Sequence, residues 1–265
     1  MSDGAAVATA EFEVSVLGSS SSIPRPGRAC SAYLVRSTGR AVLFDLGSGA
    51  FANLRRYIAP EDVDAIVISH MHPDHFLDLV PMRYALRYGT RTNDRRPVLY
   101  LPPGGEGLLR RMVDAFESEP RSDFLAVYDV RTYDPDGALR VGDLRLAFAR
   151  TTHYIPAYAV RCEAAGRSVT YSADTAPDAC VAALARGTDI FLCEATLGPN
   201  GTEPAARGHV SAREAGAMAA QARARRLVLT HYGAEAVIAE LEHEARAAYD
   251  GPVCVADDNE RLRID

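Results

Sequence analysis

The chain has 265 residues, 48% of them hydrophobic and 24% charged, a balance that excludes intrinsic disorder and leaves enough apolar side chain for a sizeable core. Its formal net charge is −6, so the molecule as a whole offers no bulk attraction for nucleic acid or anionic lipid, and a polyanion needs a local patch. No apolar run approaches the ~20 residues that span a bilayer, and the start, MSDGAAVATAEFE, lacks the positive stretch and apolar core of an export signal.

Five cysteines (Cys30, Cys162, Cys180, Cys193, Cys254) are scattered, odd in number and free of any CxxC pair. That pattern argues against a disulfide framework and against a thiolate metal knuckle, so a reducing cytoplasm is the expected compartment. All 29 basic residues are arginine, a bias of composition rather than a functional signal. With no repeat and no low-complexity linker, one domain over residues 1–265 is expected.

Residues 11–17 (EFEVSVL) alternate polar and apolar, predicting a strand, and run into the loop GSSSSIPRPGR. Residues 32–35 and 41–46 read as two further strands around a turn at 37–40, then a helix over 49–58. Residues 64–69 (DAIVIS) are an apolar, β-branched run that stops at His70, which predicts a buried strand. Pro73 suits the first turn of a following helix carrying Phe76, Leu77, Val80 and Leu86 on one face. Strands are predicted at 98–101, 144–150, 168–173, 190–193 and 226–230, and helices at 107–116, 211–224 and 237–249. His70, His153, Asp174 and His231 each follow the end of a predicted strand, and Glu194 is similarly placed. Ligands of α/β sheets gather at that edge, so these distant residues are expected to converge.

The run His-Met-His-Pro-Asp-His at 70–75 offers four metal-binding groups within six residues. A catalytic zinc-like ion takes about four ligands from imidazole and carboxylate and leaves a position for water. His70 and His72 can reach one ion while Asp74 and His75 reach a second, with further ligands drawn from elsewhere. Three of the seven histidines lie in this run and His153, His209 and His231 stand near strand ends, whereas His243 sits in the polar helix ELEHEARAAY.

With these residues in place the chain resembles the metallo-β-lactamase superfamily, whose hallmark is the HxHxDH loop, and the likeness covers nearly the whole chain. It extends to Asp45 in LFDLG, His153 in TTH, Asp174 in YSADT and His231 in LTHY. The resemblance implies an α/β fold, an αββα sandwich of two mixed β-sheets flanked by helices. It implies that His70, His72 and His153 hold a first metal, that Asp74, His75 and His231 hold a second, and that Asp174 bridges both. Asp45 would support the metal loop from behind. Two divalent ions, Zn²⁺ first with Mn²⁺ or iron as alternatives, are the implied cofactors.

Within that superfamily the chain is similar to ribonuclease Z-like phosphodiesterases, through GSSSSIPRPGRACSAYLV, CEAT at 193–196 and GHVS at 208–211. The resemblance implies that Glu194 orients His209, the proton donor to the leaving oxygen; Asp74 is counted with them among the catalytic residues. Cys193 departs from the family, which has histidine there. A second departure is the gap of 20 residues between His153 and Asp174, where ribonuclease Z carries a long arm that grips transfer RNA. Its shortness implies a small phosphodiester, such as a cyclic nucleotide, with nucleic acid disfavoured as a partner and a homodimer in keeping with relatives. A transfer-RNA 3′ nuclease, or a lactonase or thioesterase acting on a carboxyl derivative, remains the alternative. In either chemistry two ions sharing Asp174 would lower the pKa of a bound water toward ~7. Arg25, Arg28, Arg91, Arg95 and Arg96 are candidates to meet substrate charge, and Tyr154 and Tyr158 to stack on a base.

Overall fold

The structure, a computed structural model, describes residues 12–37, 39–115, 125–198 and 206–264. Glu11, Thr38 and Phe116, which the sequence places in an expected strand, turn and helix, lie outside the described residues.

Three strands open the chain: β1 (Phe12–Gly18), β2 (Ala32–Ser37) and β3 (Arg40–Phe44) pair antiparallel in succession. Parallel crossovers then add β4 (Ala65–Val67), β5 (Val98–Leu101) and β6 (Asp129–Thr132). The final strand of the chain, β14 (Arg261–Ile264), returns to the outer edge of β1, giving the order β14-β1-β2-β3-β4-β5-β6. A second sheet of the same size repeats the plan. Its strands β7 (Leu139–Val141), β8 (Leu144–Arg150), β9 (Tyr158–Ala164) and β10 (Arg167–Tyr171) are antiparallel; β11 (Ile190–Glu194), β12 (Leu227–Thr230) and β13 (Val253–Val255) continue in parallel.

Alternation along each strand explains why the sheets stack and why both are covered. Val42 and Phe44 of β3 face the sandwich interior with Val169, Tyr171 and Leu192 of the other sheet, while Leu43 and Ile66 face outward. The outward face of the first sheet is sealed by α1 (Ala50–Leu54), α3 (Leu79–Tyr88) and α4 (Gly105–Asp114) through Leu54, Met82, Leu86 and Leu109. The second is sealed by α5 (Ala179–Leu184), α6 (Ala212–Ala222) and α7 (Ile238–Arg246) through Val181, Met218, Ala219 and Leu241. The result is the expected αββα layering.

The helix expected after Pro73 is two pieces, α2 (Pro73–Phe76) and α3. Pro81 accounts for the break: its ring blocks the carbonyl of Leu77 four residues back and it has no N–H to give, so a helix restarts with Pro81 in its first turn. The expected helix over 49–58 is also shorter, ending at Leu54. No helix among the described residues is long and apolar enough to cross a membrane, and all five cysteines are free thiols.

Candidate metal centre

Parallel pairing puts the C-terminal ends of β10, β11 and β12 at one edge, and the chain leaves β4 of the facing sheet at the same place. Asp174, Glu194, His231 and His70 therefore meet, and His153 joins them from the loop after β8. The tight turns at this edge hold unusual backbone: Asp45, Ala173 and His231 have φ of 57°, 51° and 49°, a left-handed conformation that costs about 1–3 kcal/mol for side chains of this kind and persists where surroundings enforce it.

His70, His72, His153 and Asp174 bring one donor atom each within 4.8 Å of one another, and so do Asp74, His75 and His231. In the first group His70 Nε2 lies 3.1 Å and His153 Nε2 3.0 Å from His72 Nδ1. Asp174 Oδ2 is 3.7 Å from His70 Nε2 and 3.8 Å from His153 Nε2. In the second group Asp74 Oδ2 is 3.4 Å from His75 Nε2 and 3.3 Å from His231 Nε2. Asp174 Oδ1 stands 3.4 Å and 3.5 Å from the same two nitrogens. Ligands 2.0–2.1 Å from a tetrahedral ion sit roughly 3.3 Å apart, the spacing seen here. Asp174 thus turns one oxygen to each group.

Hydrogen-bond accounting shows which ring nitrogens are bare. His153 donates Nδ1–H to the carbonyl of Gly208 at 2.8 Å and His75 donates to Asp45 Oδ2 at 2.7 Å. Ser69 gives its hydroxyl proton to Asp45 at 2.8 Å and so accepts from His70 Nδ1 at 3.0 Å. Thr196 gives its proton to Glu194 Oε2 at 2.6 Å and accepts from His231 Nδ1 at 2.8 Å. Every one of these rings leaves Nε2 as a lone pair aimed at the cluster. His75 Nε2 and Asp174 Oδ1 are buried with no hydrogen-bond partner, a costly state that a cation relieves. The donor set and its geometry fit metal ions.

Electrostatics agree. Burial works against the Asp174 carboxylate, but His231 and His75 beside it outweigh that and hold its pKa well below the usual range. Asp74 is held down in the same way, against burial, by His231 and His75. Burial, then the neighbouring imidazole of His75, pushes His70 well below the ordinary histidine value, so it stands neutral as a ligand must.

His209 and Glu194 are brought together as the family resemblance implied, with His209 Nδ1 3.0 Å from Glu194 Oε1. Glu194 is fully buried and also accepts from the Thr175 amide at 2.7 Å. His209 takes no part in capping α6; Ser211 does that in a capping box with Glu214. His209 lines a cleft of about 320 Å³ together with His72, Asp74, Asp174 and His231.

Of the other candidates, Tyr154 lines that cleft whereas Tyr158 is buried in the sandwich core. Arg25 lies over the ring of Tyr232, while Arg28 pairs with Asp257, Arg95 with Asp64, and Arg91 and Arg96 reach backbone carbonyls. Cys193 points to the outer helical layer, and burial raises its thiol pKa; it packs, and the histidine it replaces has no counterpart here. Residues that sequence reasoning passed over are Ser69, Tyr171, Thr196 and Gly208. At Gly208 a Cβ would fall 2.5 Å from the Tyr154 ring, so a side chain there would push that ring from its place at the cleft. Gly47 likewise lets the 70–75 loop pass, since a Cβ there would lie 2.0 Å from the Asp74 carbonyl.

Residues 40–232 match the family described as "Beta-lactamase superfamily domain". The metallo-beta-lactamase fold protein YhfI of Bacillus subtilis is 28% identical over 249 residues, covering 92% of this chain and 97% of the relative. Its crystal structure superposes with a TM-score of 0.86 at 25% identity, covering 96% of this chain and 100% of that one. An uncharacterized protein of Mycobacterium tuberculosis is 32% identical, covering 91% of this chain and 88% of its own length. Ribonuclease Z of Haloferax volcanii is 29% identical in an alignment of 298 residues, covering 94% of this chain and 93% of the relative. The chain belongs to the beta-lactamase superfamily, with the metallo-β-lactamase fold and the His/Asp chemistry of a metal-dependent hydrolase.

Proposed function

We propose that the chain, as one hydrolase domain over residues 1–265, is a dinuclear phosphodiesterase acting on a small phosphodiester, with a cyclic nucleotide as the preferred substrate. The observation that carries this is His209, held by buried Glu194 at the lip of the His/Asp cluster.

Two divalent ions are assigned, Zn²⁺ by the nitrogen-rich donor set, with Mn²⁺ or iron as alternatives. His70, His72 and His153 would hold one, Asp74, His75 and His231 the other, and Asp174 both. When bound, such a pair supplies an activated water and neutralises charge on the phosphoryl oxygens. The side chains do the rest. Glu194 accepts Nδ1–H of His209 and so turns Nε2 toward the cleft, where it hands a proton to the departing ribose oxygen. Glu194 is held in place by the Thr175 and Thr196 amides and the Thr196 hydroxyl, so the donor is pre-positioned.

A small substrate is supported by the connection between β9 and β10. Ala164 pairs with Arg167 and leaves a two-residue turn, Ala165 and Gly166, with φ of 50° and 73°, the tightest kind of hairpin. This hairpin lies within residues 154–173, the interval between His153 and Asp174 in which the resemblance implies that ribonuclease Z carries its arm. The Haloferax alignment is also longer than this chain's 265 residues, so that relative has segments this one lacks.

The test compares leaving groups. His209→Ala should slow hydrolysis of a ribose diester by about 10²–10⁴-fold, yet spare a nitrophenyl diester, whose phenolate departs without a proton. Equal losses on both substrates would show that His209 is not the proton donor.

A further inference from the structure

We propose that the substrate carries an amino-bearing nucleobase, and that the base sits in a second cavity beside the metal cleft, walled by Ile23, Ala195, Ala236, Val237 and Leu241. The assignment rests on the phosphodiester reading above.

This cavity measures about 350 Å³ and shares Thr196 with the metal cleft. Ser22 and Ile23, neighbours in sequence, line one space each. Thr196 is fixed between them by its bonds to Glu194 and His231, so the separation of cavity and cluster is set by the same hydrogen bonds that orient the site. Ile23 is 64% exposed and Val237 53%, and Ile238 beside it is 41% exposed. Apolar side chains grouped at the mouth of a polar cleft mark a place for an apolar part of a ligand.

Charge narrows the occupant. Glu235 and Glu240 stand at the cavity and, among the described residues, no basic side chain lines it. Two carboxylates without a cation repel the phosphate, which belongs at the histidine cluster, and they offer acceptors that an aliphatic group leaves unused. A flat, uncharged ring with an exocyclic amino group satisfies both the apolar wall and the carboxylates. Adenine, guanine and cytosine have that group and uracil does not. The competing platform for a base is Tyr154, 52% exposed at the metal cleft.

Gly233 gives a clean test. Among the described residues a Cβ there meets only the Thr196 carbonyl, at 3.6 Å, and its backbone is not left-handed, so Gly233→Leu adds bulk at the junction without backbone strain. In metal-loaded protein, kcat/KM for adenosine 3′,5′-cyclic phosphate should fall about tenfold or more relative to that for methyl nitrophenyl phosphate, which has no base, mainly through KM. Glu235→Gln with Glu240→Gln, both on exposed side chains, should erode a preference of about tenfold for the adenosine over the uridine cyclic phosphate. An unmoved ratio in Gly233→Leu and an unmoved base preference in the double variant would overturn the pocket, and a ratio that collapses only in Tyr154→Ala would place the base on that ring. A wild-type protein that cleaves neither diester would instead defeat the phosphodiester reading itself.

Discussion

Thr196 donates its hydroxyl proton to Glu194 Oε2 across 2.6 Å, and its Oγ1 accepts from His231 Nδ1. One hydroxyl therefore ties the carboxylate behind His209 to an imidazole of the metal cluster. Thr196→Val keeps the shape and removes both bonds. Metal affinity should drop about 10–100-fold, read by competition with a chelator, and Thr196→Ser should recover most of it. A Val variant with wild-type affinity would mean that His231 needs no such support.

Asp45 is the second support. It accepts from the Ser69 amide at 2.7 Å, the Ser69 hydroxyl at 2.8 Å, His75 Nδ1 at 2.7 Å and the Tyr171 hydroxyl at 2.9 Å, and it is fully buried. Asparagine turns an NH₂ group at donors. Asp45→Asn should cost about 3 kcal/mol in urea unfolding of metal-free protein; a loss under about 0.5 kcal/mol would be indistinguishable from an ordinary surface change.

Acid should weaken the β1 edge. Burial works against the Glu13 carboxylate, but Arg36, with Arg261 and Arg263, outweighs it and lowers its pKa. A depressed carboxylate pKa adds stability above the ordinary carboxylate range, and that stability is lost as pH falls through the folded value. Wild type should exceed Glu13→Gln by about 1 kcal/mol at neutral pH, and the gap should close below about pH 4. A gap constant from neutral to acid pH would assign the effect to packing.

Thiol labelling separates buried from exposed cysteines. Burial, then the charge of Asp74, pushes the Cys30 thiol up to about 11, and burial pushes Cys162 up to about 12. Cys180 is exposed. Iodoacetamide at mildly alkaline pH should label Cys180 in the folded protein and leave Cys30 and Cys162 intact until denaturant is added, as peptide mass spectrometry can read. Early loss of Cys30 would mean that the loop around Gly47 opens.

Much of this site was legible because chemistry and pattern coincide at strand ends: an apolar run that stops at His70, and others that stop short of Asp174 and His231, cannot hide the polar residue that follows. Glu194 and His209 needed the family resemblance, since spacing alone pairs nothing 15 residues apart. Short edge strands escaped. β14, RLRI, alternates arginine with apolar residues and β6, DVRT, is half exposed, so neither carries a hydrophobic run. The helix α5 is six residues, half of them alanine, and is announced only by its Asp178 cap. The supporting hydroxyls of Ser69, Tyr171 and Thr196 were silent because their role is set by what folds against them.

The most direct test of the account is steady-state turnover by the Zn- or Mn-loaded protein of four compounds: adenosine 3′,5′-cyclic phosphate, methyl nitrophenyl phosphate, a simple lactone and a cephalosporin. A dinuclear phosphodiesterase should hydrolyse the two phosphodiesters, lose that activity on chelation, and turn over neither the lactone nor the cephalosporin. Hydrolysis of a carboxyl derivative with both phosphodiesters untouched would contradict it.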